Sequence, residues 1–171
     1  MEVRVQTEPH IEVYKFRFGV IAGAVILALV LQAFLPIHFR QADVLELPLL
    51  VTIYFALSRR NPSTGLLLGM IVGVAQDSLS HTPIGLYGIA KTLVGFVASS
   101  LGSRIDVEHP LSRFFLTLFF FHFHRAVFVL IQRFLLVQRD PFVTTGILVA
   151  SLVNAAVSVA LFPLLDRFRK A

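Results

Sequence analysis

The sequence predicts an all-α membrane protein with six transmembrane helices in one bundle. Three observations carry that expectation. The chain of 171 residues is 56% hydrophobic and only 15% charged, whereas a soluble domain averages about 25% charged. Its mean hydropathy is +0.80, and the apolar residues fall into long blocks separated by short polar loops. Lysine and arginine gather at the ends of those blocks, where topology determinants sit. No internal repeat or low-complexity stretch occurs, and loops this short favour consecutive spans packing as antiparallel neighbours. The organisation read from this pattern is an N-terminal cytoplasmic segment over 1–17, one transmembrane domain over 18–166, and a short cytoplasmic tail over 167–171.

A span needs about 20 apolar residues. The first block, Phe18–Pro36, meets that length. Its leader is long and carries Glu2, Glu8 and Glu12, and no small-x-small site follows it, so it reads as a retained span rather than a cleaved signal. Residues Ile11–Phe18 either lie at the cytoplasmic interface, with Lys15 and Arg17 near lipid headgroups, or form a cytoplasmic tail. The second block, Val44–Leu57, and the third, Thr64–Leu79, are short and carry Glu46, Pro48 and Asp77 near their ends. They are expected to be tilted, packed inside the bundle or extended by neighbouring residues. The fourth, Gly85–Leu101, the fifth, Leu111–Val137, and the sixth, Phe142–Leu165, are long enough to span.

Orientation follows from the basic residues. With the N-terminus inside, the cytoplasmic segments hold Arg4, Lys15, Arg17, Arg59, Arg60, Arg104, Arg113, Arg167, Arg169 and Lys170, and the opposite side holds only Arg40 and Arg139. The positive-inside rule then puts both termini in the cytoplasm. That outcome needs an even number of spans, which favours six over five.

The most informative stretch is Gly65 to Gly88. Gly65, Gly69, Gly73 and Asp77 recur every four residues and form one ridge on a helix. Three glycines flatten the ridge enough for another helix to approach closely. Asp77 ends it at the edge of an apolar run, where a charge needs a partner or a purpose. Ser80-His81-Thr82-Pro83-Ile84-Gly85 then breaks the helix, making a helical hairpin with a polar tip.

Other polar residues fall inside the apolar blocks. Lys91 shares a face with Gly95 and Ser99; it either pairs with Asp77 across the hairpin or snorkels to the outer headgroups. Arg125 is near the middle of the fifth block, with Arg133 two turns on and His122 one turn before. It must face the bundle, water or a carboxylate, and Asp77 and Glu46 are the carboxylates near enough to serve. Ala150, Asn154 and Ser158 form a small polar stripe in the sixth block, suited to gluing helices together or to touching a ligand.

Several function classes are disfavoured. The isoelectric point near 10.2 could suggest nucleic acid, but the basic residues form no stripe with aromatic platforms. His122-x-His124 points to two helix faces and has no cysteine or carboxylate to complete a metal set. No Ser–His–Asp set, paired glutamates or HExxH motif supports catalysis. No cofactor is expected. The chain has no cysteine, so disulfides and thiolate sites are excluded.

The central hairpin resembles the rod shape-determining protein MreD family. The carrying residues are Leu45-Glu46-Leu47-Pro48-Leu49-Leu50-Val51 with Tyr54-Phe55-Ala56-Leu57, then Gly65 through Gly73, Gln76-Asp77-Ser78 and Pro83-Ile84-Gly85-Leu86-Tyr87-Gly88. The shared pattern is a proline opening a short apolar span, a short basic loop, a glycine-rich helix ending in Asp and a P-x-G-x-x turn. The resemblance is sharpest over 43–102. It implies a non-catalytic scaffold of the bacterial elongation complex in the inner membrane, which maintains rod shape and directs lateral peptidoglycan synthesis. The implied partners are an MreC-like bitopic protein, MreB, RodA, the elongation-specific penicillin-binding transpeptidase and membrane lipid. It also implies a fold similar to the six-helix substrate-binding subunits of energy-coupling-factor transporters. The family supplies no catalytic residue; Asp77, Pro83 and Gly85 are its pattern positions, candidates for architecture or partner contact. The alternative reading is a vitamin-like small-molecule binding subunit of a transporter, with Lys91, His122, Arg125 and Asn154 lining a polar cavity.

Overall fold

The computed structural model describes residues 16–80, 82–102, 105, 107–136 and 141–169. Expectations for the segment before Phe16, including Arg4 and Lys15, and for His81, Arg104, Val137, Arg139 and Lys170, lie outside the described residues. Those that are described form six α-helices: α1 Phe18–His38, α2 Leu47–Arg59, α3 Pro62–Leu79, α4 Leu86–Gly102, α5 Pro110–Leu135 and α6 Thr145–Asp166, with a 3-10 turn over Arg40–Val44.

Local chemistry sets the helix ends. Three helices open with proline in the first turn, where the missing N–H is not needed. Asn61 caps α3 by accepting from the Ser63 and Thr64 amides, and Thr144 caps α6 through Ile147. Arg60 takes a left-handed conformation, φ 53°, to stop α2. Gly85, at φ 108°, turns the chain into α4, and a residue with a Cβ would be strained there.

Helix α2 is the axis of the bundle. Every residue from Pro48 to Ser58 is buried, and α1, α3, α4, α5 and α6 all pack on it. The short second block is therefore central, and the 3-10 turn extends it: four helical stretches are long and apolar enough to cross a membrane, Phe18–His38, Gln41–Arg59, Pro110–Leu135 and Thr145–Asp166. The fourth block was expected to be long enough, yet α4 has 17 residues and falls short of that set. Glycine and polar residues on α3 and α4 serve packing between the two, at the expense of apolar length. Outward-facing Phe18, Ile26, Phe34, Ile71, Phe115 and Phe134 are all more than half exposed, an apolar surface far beyond what a soluble monomer tolerates.

Arginines collect at one end. Phe16 packs edge-on against Phe55, bringing the start of α1 to the end of α2. Tyr54 Oη donates to Asp166 Oδ1 at 2.7 Å, which brings in the end of α6, and Arg113 Nη2 donates to Asp166 Oδ2 at 2.6 Å, which brings in the start of α5. Arg17, Arg59, Arg60, Arg113, Arg167 and Arg169 thus share a basic end.

Candidate functional site

At the opposite end, Asp77 organises the α3–α4 hairpin. It is 1% exposed. Its Oδ2 accepts from the Gly85 amide at 2.8 Å and the Gly88 amide at 3.0 Å; its Oδ1 accepts from the Tyr87 amide at 2.9 Å and Thr82 Oγ1 at 3.1 Å. Helix α4 has orphan amides in its first turn, and a carboxylate there also meets the favourable end of the helix dipole. Asp77 is thus a cap supplied by the preceding helix. The tip residues Pro83 and Ile84 stay exposed.

The glycine ridge is occupied by α4. A Cβ at Gly69 would collide with the Lys91 carbonyl, one at Gly73 with the Tyr87 carbonyl, and one at Gly65 with the Gly95 carbonyl and the Ser99 side chain. Gly95 reciprocates, its Cβ position filled by the backbone of Gly65. The two backbones touch, as small-residue membrane interfaces allow.

Lys91 is fully buried, so it does not snorkel. Nor does Asp77 hold it, because all four bonds to that carboxylate come from the hairpin. Lys91 Nζ lies 3.6 Å from Glu46 Oε2, 3.4 Å from His124 Nε2 and 4.6 Å from the centre of the Tyr87 ring. A protonated Lys91 only donates, and in that state His124 Nε2 is the acceptor, with the ring proton on Nδ1. Gln76 Nε2 donates to the same Glu46 oxygen at 3.4 Å. Four helices, α2, α3, α4 and α5, meet in this cluster.

Asn154 latches the entry to α2. Its Nδ2 donates to Val44 O at 2.7 Å and Ala150 O at 2.8 Å, and its Oδ1 accepts from the Glu46 amide at 2.9 Å. Gln32 does the same from α1, donating to Leu45 O and accepting from the Leu47 amide. Arg125 takes neither carboxylate expected for it. Its Nη2 donates to Pro141 O at 3.3 Å, in the connection to α6, while Glu46 Oε2 serves Lys91 and Gln76. His122 is half-buried against Phe121 and stands outside the cluster.

Sequence reasoning missed five participants: Gln76, His124 and Gln32 in or near the cluster, and Tyr54 and Asp166 at the basic end. There Asp166 also takes Arg169 Nη2 at 2.6 Å, and Arg113 Nε donates to Val107 O at 2.9 Å. The apolar-to-basic boundary at Asp166 was the available signal: a lone carboxylate beside Arg167 and Arg169.

Space near the cluster is small. Two cavities border the cluster, one of about 130 Å³ lined in part by Glu46, Tyr87, His124 and Arg125 and one of about 210 Å³ lined in part by Gln32 and Gln76; each is below the roughly 300–1,000 Å³ of small-molecule sites. The polar groups mainly bond to one another and to backbone.

An apolar-surfaced helical bundle with its charges joined inside defines an integral membrane protein built for packing. A family model for the rod shape-determining protein MreD matches residues 14–171, nearly the whole chain, and the protein belongs to that family. It is a rod-shape-determining membrane protein of a family associated with the MreC/MreB rod-shape system. No curated protein and no solved structure matches the chain.

Proposed function

We propose that this protein is a non-catalytic scaffold of the elongation complex in the bacterial inner membrane. It binds an MreC-like bitopic protein and, with MreB, RodA and the penicillin-binding transpeptidase, directs lateral peptidoglycan synthesis. The observation that carries this reading is the use made of the intramembrane polar groups: Glu46, Gln76, Lys91, His124 and Asn154 are spent on holding helices together. A transporter's binding subunit needs such groups aimed at a ligand-sized space, and the cavities of about 130 Å³ and about 210 Å³ beside them are each too small.

In this reading the basic end is cytoplasmic, as the positive-inside rule requires, and all six helices cross, with α3 and α4 inserting as a glycine-joined hairpin. The Gly65–Gly73 ridge serves architecture, since α4 fills it. Partner spans dock instead on lipid-facing surfaces, of which the Phe115 and Phe119 face of α5 is the most aromatic. Depletion in the host tests the function. Rods that become round, and are restored by the wild-type chain, support it. Rods that keep their shape but acquire a nutrient requirement would replace it with the transporter reading.

A further inference from the structure

Helices α1 and α6 both pack on α2 but not on each other. Between them runs an apolar groove of about 410 Å³, walled by Gly19, Gly23 and Leu31 of α1, Val51 of α2, Leu164 of α6, and Phe168 in the turn that follows it. Gly19 and Gly23 face open space, with nothing within 4 Å of a Cβ built on either. Every glycine of the α3–α4 ridge, by contrast, is filled by backbone. The groove's lining is glycine and apolar side chains throughout, with no polar side chain to hold a hydrated ligand, which suits a hydrocarbon chain.

Its mouth is at the basic end. Arg17 immediately precedes α1, two residues before groove-lining Gly19, and Arg167 immediately follows α6, next to groove-lining Phe168, so the two flank the basic end of the groove. Both are exposed, and neither forms an ion pair among the described residues. Arg169, one turn from the mouth, is engaged by Asp166 and Glu108. We propose that this groove is a binding site for an anionic glycerophospholipid: one acyl chain lies between α1 and α6, and the phosphate head sits between Arg17 and Arg167. A bitopic partner with its own Lys and Arg at that end would meet repulsion there; a net-negative headgroup meets two exposed guanidinium groups.

The test is native mass spectrometry of the full chain, exchanged into micelles containing equal amounts of phosphatidylglycerol and phosphatidylcholine. Neither lipid retention nor its readout depends on the scaffold reading or on membrane orientation. Wild type is expected to retain phosphatidylglycerol about ten- to thirtyfold over phosphatidylcholine, from two basic contacts. The surface double variant Arg17→Gln/Arg167→Gln should bring the ratio close to one, and Gly23→Leu, whose side chain enters open space in the groove, should lower retention of both lipids. Equal retention of the two lipids by wild type, or an unchanged preference in the arginine variant, would overturn the proposal. Gly23→Leu that keeps its lipid but loses a co-purifying single-span protein would overturn it in favour of a helix in the groove.

Discussion

Lys91 and Glu46, 45 residues apart in the chain, face each other at 3.6 Å, and the lysine is completely excluded from the surface. A buried charge with one anionic partner is expensive to leave alone: removing one member of such a pair costs about 3–5 kcal/mol, while replacing both with apolar groups is often neutral. Glu46 is partly hydrated, its side chain 20% exposed, which lowers the figure to about 2–3 kcal/mol. Glu46→Leu and Lys91→Met should each lower the thermal midpoint in detergent, and the double variant should recover most of the loss. Additive losses in the double variant would mean that the two residues do not act as a pair.

Asp77 should be still less replaceable. Asp77→Ala strands three backbone amides of the α4 turn and Thr82. Hydrogen bonds to a charged group contribute about 1.5–3 kcal/mol each and do not add fully, so a total near 4 kcal/mol is expected. Asp77→Asn keeps one acceptor oxygen and should cost about half. Urea or thermal unfolding of both variants in micelles checks the order; an Asn variant as damaged as Ala would show that charge, rather than geometry, holds the tip.

The glycines divide into two populations with opposite tolerance. Gly69→Ala drives a methyl into the Lys91 carbonyl, and α3 and α4 must separate, at about 1–3 kcal/mol or more. Gly23→Ala meets nothing within 4 Å and gains helix propensity of about 1 kcal/mol over glycine. Protease resistance of the two purified variants should therefore move in opposite directions. Equal behaviour would remove the close-packed α3–α4 interface from the account.

Much of this architecture was readable beforehand, because membrane helices announce themselves by composition and small-residue spacing by period. Gly65, Gly69 and Gly73 recur on one face whatever lies opposite. The partners across helices were less readable. Glu46, rather than Asp77, meets Lys91 because the rotation of α2 and the 3-10 turn before it decide where the carboxylate points, and neither has a local signature. His122 and His124 sit about 200° apart on α5. Arg125 suggested His122 by spacing, yet packing of Phe120 and Phe128 into the bundle turns His124 inward. Tyr54 with Asp166 is separated by 112 residues, beyond any spacing rule.

Arg125 separates folding from function. Its bond to the Pro141 carbonyl is 3.3 Å long, and it forms no ion pair with Glu46, whose Oε2 takes Lys91 and Gln76, or with Asp77, whose two oxygens take the hairpin donors. Arg125→Gln should consequently change stability by no more than about 1 kcal/mol. The guanidinium nevertheless borders the small cavity beside Glu46 and His124, at the end opposite the basic one, where a bitopic partner leaves the membrane in the proposed orientation. A cation kept there without need for folding is expected to contact that partner. Arg125→Gln should accumulate at the wild-type level in a depleted host and fail to restore rod shape, while Arg125→Lys restores it in part. Reduced accumulation would make Arg125 a structural residue. Full rescue by Gln would leave the partner contact to the lipid-facing Phe115 and Phe119.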